Sequence, residues 1–216
     1  MKKRIIPLLL ILFLLTSTLP AQAAGRTSFF RRYQYGTLTL YENLVYGYSL
    51  GIYSKFEMAS DEALQEYFWP TFEESEKNGG DAVYDYRYWY SRDGIYSIEI
   101  QAKEPTYDSF ETEIAMAPKY VELTADEYAP ENELKQLHDG ILRDTPAGQM
   151  LETAVSYISF DSEGNATPIV FVYYDIYARG VEYCFCLHAR NGNYEETQSM
   201  LDEMMQTVSL DIGLRI

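Results

Sequence analysis

The sequence predicts an α+β fold, an antiparallel β-sheet of about six or seven strands with helices packed on its faces. Residues 169–187 form two strand-like runs that meet at Arg179-Gly180, which is the pattern of a β-hairpin. The first run is apolar or aromatic on both faces except at Asp175, as is typical of a central strand covered on both sides. Residues 194–208 then show the apolar stripe of a helix that packs on a sheet.

Residues 1–23 are predicted to be a bacterial-type signal peptide for export. Residues 2–4 are basic, residues 5–15 are almost all apolar, and Ala21-Gln22-Ala23 gives the small-x-small pattern of a cleavage site. The apolar run is shorter than the roughly 20 residues that a membrane span needs. Cleavage near Ala23 is therefore favoured over an uncleaved anchor. We expect a secreted or envelope protein with no membrane span after cleavage.

The charge of the chain excludes one class of partner. The formal net charge is −16, and removal of residues 1–23 would take three of the 17 basic residues and none of the 33 acidic ones, leaving −19. Such a surface repels nucleic acid, because binding to phosphates needs clustered Lys and Arg. We expect the acidity to keep an exported protein soluble and monomeric. Attraction to a basic partner or to cations stays open.

The first structured unit is predicted to be a hairpin. Residues 24–36 are polar and show no clear period, which indicates a flexible N-terminus of the mature chain. Strands are expected at residues 37–41 and 45–53, with a turn near Glu42-Asn43. In the second strand the alternate positions 47, 49 and 51 are Gly, Ser and Gly. Small residues in a row predict close approach by another backbone or a helix.

The next elements are a short helix and a second hairpin. Ser60 is a candidate cap for a helix over residues 61–68, and Pro70 is expected to end it. Residues 73–80 are acidic and end in glycine, which indicates a loop. The second hairpin is predicted from strands at residues 82–90 and 95–102, joined by a turn at Arg92-Asp93-Gly94.

The middle of the chain is the hardest to interpret. Residues 103–128 are punctuated by prolines and are predicted to be a loop with helical turns around residues 110–116. Residues 131–142 are predicted to be a helix, because Leu134, Leu137 and Ile141 fall on one stripe. A strand over residues 149–160 and a turn at Glu163-Gly164-Asn165 lead into the central hairpin.

A capped helix closes the chain. Asn193 can cap it, and Glu196 is placed for a capping-box contact. We see no internal repeat and no linker, so residues 37–216 are predicted to be a single domain. The apolar stripe of the closing helix comprises Thr197, Leu201, Met204 and Val208, with Met200 and Met205 beside it.

This order of elements resembles the PsbP/Mog-one-like family. The features that carry the resemblance lie between residues 37 and 210 and are the segments LYENLVYGYSLGIY, YRYWYSRDGIYSIEI and FVYYDIYARGVEYCFCLHARNGNYEETQSMLDEMMQTVSL. The resemblance implies an antiparallel sheet covered by helices. Members with assigned roles include an extrinsic photosystem subunit, a binder of the GTPase Ran and bacterial envelope proteins, which implies a binding protein. Partners of those members do not transfer to this chain.

Cys184, Cys186 and His188 alternate on one strand, so their side chains share one face. Three such ligands suggest zinc or copper, but a structural site needs four tetrahedral ligands, and the remaining histidine, His138, is expected on a helix. We therefore predict buried free cysteines beneath a helix and no metal site. A disulfide between Cys184 and Cys186 would distort the strand and is not expected.

Tyr84, Tyr86, Tyr88 and Tyr90 occupy one face of a single strand. A solvent-facing tyrosine row could stack against sugars or a partner strand. The other interpretation, which we favour because both faces of this strand carry aromatic residues, is that the row lies under a helix or under residues 103–128. This row is the best candidate surface that the sequence offers.

No catalytic constellation is apparent, and no cofactor is expected. Glu73, Glu74 and Glu76 read as a solvated loop. Residues 161–165 resemble a calcium loop only faintly, since they lack its bidentate Glu, and are predicted to be a hairpin turn. Cys186 and His188 lie on one strand, where neither activates the other.

We therefore predict an exported, non-enzymatic binding or adaptor module with a protein partner. A glycan or small-ligand binder that uses exposed tyrosines is the first alternative. A hydrolase whose residues the sequence does not reveal is the second. A strongly perturbed carboxylate or cysteine in a pocket would favour this last reading.

Overall fold

An antiparallel sheet organises the chain. The computed structural model describes residues 30–124 and 130–210, and predictions for residues 1–29 lie outside this part. The strands are β1 (Phe30–Tyr35), β2 (Leu38–Asn43), β3 (Tyr48–Tyr53), β4 (Phe56–Met58), β5 (Val83–Ser91), β6 (Tyr96–Lys103), β7 (Lys135–Gln136), β8 (Ile141–Thr145), β9 (Gly148–Phe160), β10 (Ala166–Ala178) and β11 (Val181–Arg190). The main sheet has the order β4-β5-β6-β11-β10-β9-β7, with β8 also paired to β9.

Five α-helices are present in the described residues, and none of them is long and apolar enough to span a membrane. They are α1 (Asp61–Tyr67), α2 (Trp69–Lys77), α3 (Phe110–Met116), α4 (Tyr120–Thr124) and α5 (Tyr194–Met205), with short 3-10 turns at Ala117–Lys119 and Pro130–Asn132. Helices and β1–β3 cover an antiparallel sheet, so the predicted α+β class is confirmed.

The central hairpin is confirmed. Strands β10 and β11 pair in antiparallel register through a turn in which Arg179 and Gly180 both have positive φ, 57° and 74°. Both strands have neighbours on their outer sides, β9 and β6. Val172 on one face and Asp175 on the other are both buried, because each face is covered.

One face of the main sheet, which we name the core face, is covered by β1–β3 and by α5. Tyr48, Leu50 and Leu201 are fully buried in the apolar cluster on this face. The predicted close approach is confirmed at Gly51, where a Cβ atom would lie 2.7 Å from Thr207 Oγ1. Helix α5 begins at the predicted cap, since the Asn193 side chain accepts a hydrogen bond from the amide of Glu196 at 2.9 Å.

The opposite face, which we name the cover face, carries helices at both ends. Helices α1 and α2 lie over β5, and Ser60 caps α1 as predicted. Helices α3 and α4 lie over β9 and β10, where the ring centroids of Tyr120 and Tyr173 are 6.0 Å apart. The space between these two pairs of helices positions the site described below.

Two predictions for the first half of the chain are wrong. Residues 30–35 form β1 rather than an irregular lead-in, because Gly36 with φ of 58° allows a tight turn that pairs β1 with β2. Pro70 does not end the helical region. It lies in the first turn of α2, where its missing N–H leaves no hydrogen bond unmade, so most of the predicted 73–80 loop is helical.

The predicted helix at residues 131–142 is also wrong. Its apolar spacing fits a helix, but Glu133 and Gly140 have positive φ, 49° and 94°, which breaks helical backbone. The segment instead pairs with β9 as the short strand β7 and continues into β8. Sheet pairing prevails here over a weak local pattern.

Candidate functional site

A cavity of about 430 Å³ lies between the cover face and helices α3 and α4. Its lining combines carboxylates with aromatic and aliphatic side chains. The exposed side chain of Leu123 lies at this cavity. The lining includes Asp81, Lys103, Thr106, Tyr107, Glu113, Asp175, Glu182 and Cys184.

Strand register places the charged floor of the cavity. Asp175 on β10 lies opposite Cys184 on β11, and Glu182 lies two residues before Cys184 on the same face. Glu182 in turn lies opposite Lys103 on β6. Asp175 and Glu182 are therefore diagonal neighbours on adjacent strands, with a lysine on the third strand.

Helix α3 adds a third carboxylate from above. Ser109 caps this helix by accepting a hydrogen bond from the amide of Thr112 at 3.2 Å. Glu113 is the buried residue of α3, 9% exposed, in a position where a helix packed on a sheet ordinarily buries an apolar side chain. We name Glu113, Asp175 and Glu182 the carboxylate trio. Their ligand oxygens all lie within 4.8 Å of one another.

The trio is only partly compensated. Glu182 accepts from Lys103 Nζ at 2.9 Å and from the amide of Thr106 at 2.8 Å. Glu113 Oε2 is buried and has no hydrogen-bond partner. Among the described residues only one other buried side-chain N or O atom, Trp89 Nε1, is in this state. Buried polar atoms are almost always paired, so such an atom needs an explanation.

The pKa values of the trio reflect this incomplete compensation. Burial, reinforced by Asp175 and Glu182, raises the pKa of Glu113 to about 9. Burial and the charge of Glu182 also raise the pKa of Asp175. Burial opposes the charge of Lys103, but Glu182 outweighs it and raises the pKa of the ammonium overall. The cavity thus favours the protonated form of its carboxyl groups when no ligand is bound, because its own cationic residue does not neutralise all of them once they are ionised.

Cys184, Cys186 and His188 share the cover face, but the structure divides them between two environments. Cys184 lines the cavity beside Asp175, whereas Cys186 and His188 lie with Glu99, and His188 Nε2 is 3.1 Å from Glu99 Oε1. Both cysteines are free and buried, as predicted, and burial raises the pKa of both thiols. Ligand atoms of Glu99, Cys186 and His188 lie within 4.8 Å of one another.

The tyrosine row lies under α1 and α2, which is the interpretation that the sequence favoured. Tyr86 is 2% exposed, and its ring contacts Phe68 and Phe72 with centroids 4.9 Å away in both cases. Tyr88 also packs against Phe68. Only the end of the row, Tyr90, is exposed among its described members, so this row does not form an open stacking surface.

The remaining predicted features have structural roles. Asp161 accepts hydrogen bonds from the amides of Glu163 and Asn165, so residues 161–165 form the β9–β10 turn as predicted. His138 lies between β7 and β8, not on a helix, and its Nε2 is 3.0 Å from Glu152 Oε1. Glu73, Glu74 and Glu76 lie on α2 instead of a loop.

Sequence reasoning did not identify the trio, although one signal was present. Asp175 is the single charged residue in an otherwise apolar and aromatic central strand. A carboxylate in that position must meet a partner or a ligand. Glu113 gave no signal of its own, because it becomes important only when α3 packs over β10.

Several solved structures are similar to this chain at low sequence identity. The chain is similar to the Ran-binding protein Mog1p of Saccharomyces cerevisiae, with 12% identity over 85% of this chain and 96% of that chain and a TM-score of 0.44. It is similar to cyanobacterial PsbP (CyanoP) from Synechocystis sp. PCC 6803, with 10% identity over 85% and 94% and a TM-score of 0.45.

A third solved structure is LpqN, involved in cell envelope biogenesis of Mycobacterium tuberculosis, with 10% identity over 75% of this chain and 82% of that chain and a TM-score of 0.36. No family model matches the chain, and no curated protein matches it. The matches include the Mog and PsbP types that the sequence patterning indicated.

Proposed function

We propose that this protein is an exported, non-enzymatic binding module whose protein partner places a positively charged side chain in the acidic cavity. The observation that carries the proposal is the buried, unpaired Oε2 of Glu113 beside two further carboxylates. A binding site is expected to hold groups that only a ligand completes. A cationic group fits the sign of the charge that Lys103 leaves uncompensated.

The chemistry of the cavity favours binding over catalysis. Its thiol, Cys184, has a raised pKa and lies beside a carboxyl group, so it is held in the neutral form that is a poor nucleophile. No histidine is present among the described residues that line the cavity. The carboxyl group of Asp175 is therefore the nearest group that could accept a proton from this thiol. The raised pKa values of Glu113 and Cys184 in one cavity meet the condition stated for the hydrolase, which stays an alternative.

The predicted export would place the partner outside the cytoplasm. Residues 1–23 have the charge pattern, apolar run and cleavage pattern of a signal peptide. The acidic mature chain would steer basic partners toward the cavity at low salt, because long-range attraction is screened as ionic strength rises.

The test is binding of basic peptides by the full chain as its host produces it. Lys- and Arg-containing peptides and acidic peptides of equal length would be titrated by calorimetry against the wild type, Glu113→Gln and Glu74→Gln. Glu74 is exposed on α2 and lies outside the cavity lining, so it is the matched control. We expect only basic peptides to bind, with affinity lower by about tenfold or more in Glu113→Gln alone.

Equal affinity of the two variants for the basic peptides would contradict this site. If Glu113→Gln binds more weakly than Glu74→Gln as expected, crosslinking in the host would identify the natural partner, and Glu113→Gln should reduce its recovery. A small cationic ligand is the second candidate, because the cavity volume falls within the range of small-molecule pockets, roughly 300–1,000 Å³. A thermal-shift screen of amines separates it from a peptide.

A further inference from the structure

The carboxylate trio has the arrangement of a small ion site at one end of the cavity. Its members come from three separate elements, α3, β10 and β11, and are 9%, 9% and 4% exposed at Glu113, Asp175 and Glu182. Their oxygens converge within 4.8 Å of one another. Oxygens bound to one calcium ion at about 2.3–2.6 Å are separated by at most roughly 5 Å, so this spacing fits a shared ion.

An independent observation points to a ligand at the same place. Glu113 is nine-tenths buried and lines the cavity. Its carboxyl group bonds the Tyr177 hydroxyl, but its Oε2 has no hydrogen-bond partner. A carboxylate oxygen desolvated without a partner is costly in a folded protein. The other buried carboxylates among residues 30–124 and 130–210 do not show this: Asp85, for example, is bonded by Asn43, Tyr48 and Arg87.

The net charge of the ionised trio together with Lys103 matches the charge of a divalent cation. With all three carboxyl groups ionised the trio carries three negative charges, and Lys103, 2.9 Å from Glu182 and 4.0 Å from Asp81, neutralises at most one of them. Two negative charges remain, which one divalent ion would balance. Carboxylate oxygens are hard ligands, and the open cavity leaves room for the water molecules that complete the coordination of such an ion.

We infer that Glu113, Asp175 and Glu182 bind one hard divalent cation of the calcium, magnesium or manganese class. The inference concerns the same cavity as the proposed function and extends it: the cation and a partner's basic side chain compete for the same carboxylates. Divalent ions would then lower the affinity for a basic partner. Thr106 and Tyr107 would position the site, since their amides hold Glu182 and the Tyr177 hydroxyl.

The experiment is titration of the full chain, as its host produces it, with calcium, magnesium and manganese chlorides by calorimetry. Terbium luminescence excited through tyrosine gives a second readout, because Tyr107 lines the cavity and Tyr177 contacts Glu113. We expect one saturable site with a Kd in the 10⁻⁴–10⁻³ M range of extracellular calcium modules. Glu113→Gln should weaken it about tenfold or more, and Glu74→Gln should not change it.

A second variant distinguishes an effect on the ion site from general damage to the fold. Lys103→Met removes the competing ammonium, so it should tighten cation binding, which general damage to the fold would not do. Absence of saturable binding up to millimolar cation, or equal affinity in Glu113→Gln and wild type, overturns the inference. Binding of zinc alone, lost in Cys184→Ser, would overturn it as well. Basic peptides that bind when cations do not would leave the proposed function standing, and cation binding without peptide binding would leave only the ion site.

Discussion

Glu152 and the carboxylate trio lie on opposite faces of one sheet, and both are buried, but their surroundings differ in kind. Glu152 on the core face is 0% exposed and is contacted by His138, Arg143, Tyr174 and Tyr194 at 2.6 to 3.2 Å. On the cover face, Glu113 Oε2 has no such partner. Burial of a carboxylate alone therefore does not identify a ligand site in this protein. A buried carboxylate oxygen that lacks a hydrogen-bond partner does identify one.

The largest expected effect on stability is at Glu152, the buried carboxylate that is fully hydrogen-bonded. Glu152→Gln removes the charge that His138, Arg143 and Tyr194 contact and turns an amide toward at least one of them. We expect a loss of about 3 kcal/mol in the free energy of unfolding, because donors left unpaired in a buried network cost more than their bonds contribute. Urea unfolding measures it. A loss below about 0.5 kcal/mol would show that the network is not structural.

Lys103→Met should have a smaller effect of the same sign. It leaves Glu182, 4% exposed, with the amide of Thr106 and the hydroxyl of Tyr177 but no cation, and the lysine itself is partly exposed. We expect a loss of about 2 kcal/mol at neutral pH without added cation. The loss should shrink when calcium is added, as the ion replaces the missing positive charge. A loss that calcium leaves unchanged would argue against a shared site.

The Glu-to-Gln substitution at the trio, Glu113→Gln, should change the free energy of unfolding in the opposite direction to Glu152→Gln. Glu113→Gln removes a carboxyl group whose charged form is desolvated, so we expect a gain of about 1 kcal/mol at pH 8 without added cation. Glu74→Gln, on the exposed surface of α2, is the control and should leave the unfolding midpoint unchanged. A loss of stability in Glu113→Gln would place Glu113 with Glu152 as a structural carboxylate.

The pH dependence of that gain sharpens the comparison. The pKa of Glu113 rises on folding from its ordinary 4.5 to about 9. The folded state thus holds a proton that the unfolded state has lost, and the stability of the wild type falls as the pH rises between these values. Glu113→Gln lacks this contribution. We expect the difference between variant and wild type to be small at pH 5 and to grow toward pH 9 in thermal unfolding.

The sequence predicted what local rules and strand patterning determine. The central hairpin followed from Arg179-Gly180 and two apolar runs, and the cap of α5 followed from Asn193. The close approach at Gly51 followed from small residues at alternate positions. Each of these features is encoded within about twenty consecutive residues or fewer, where turn chemistry and periodicity act directly.

The site could not be predicted in the same way, because contacts distant in sequence create it. Glu113 meets Asp175 only after α3 has packed over β10, and Glu182 meets Lys103 only through the β6–β11 register. The mistaken helix at residues 131–142 has a similar cause, since pairing with β9 decides its structure. In the sequence, only Asp175, a charged residue within a predicted buried strand, indicated a polar site.

The most direct test of the account is urea unfolding of the wild type and Glu113→Gln, each in calcium chloride and in EDTA at pH 8. In EDTA the variant should be the more stable of the two. Calcium should stabilise the wild type, because ligand binding to the folded state alone raises its stability, and should have little effect on the variant. A variant that is less stable than the wild type in both solutions, or a wild type that calcium does not stabilise, would contradict the claim that the trio is built for a ligand.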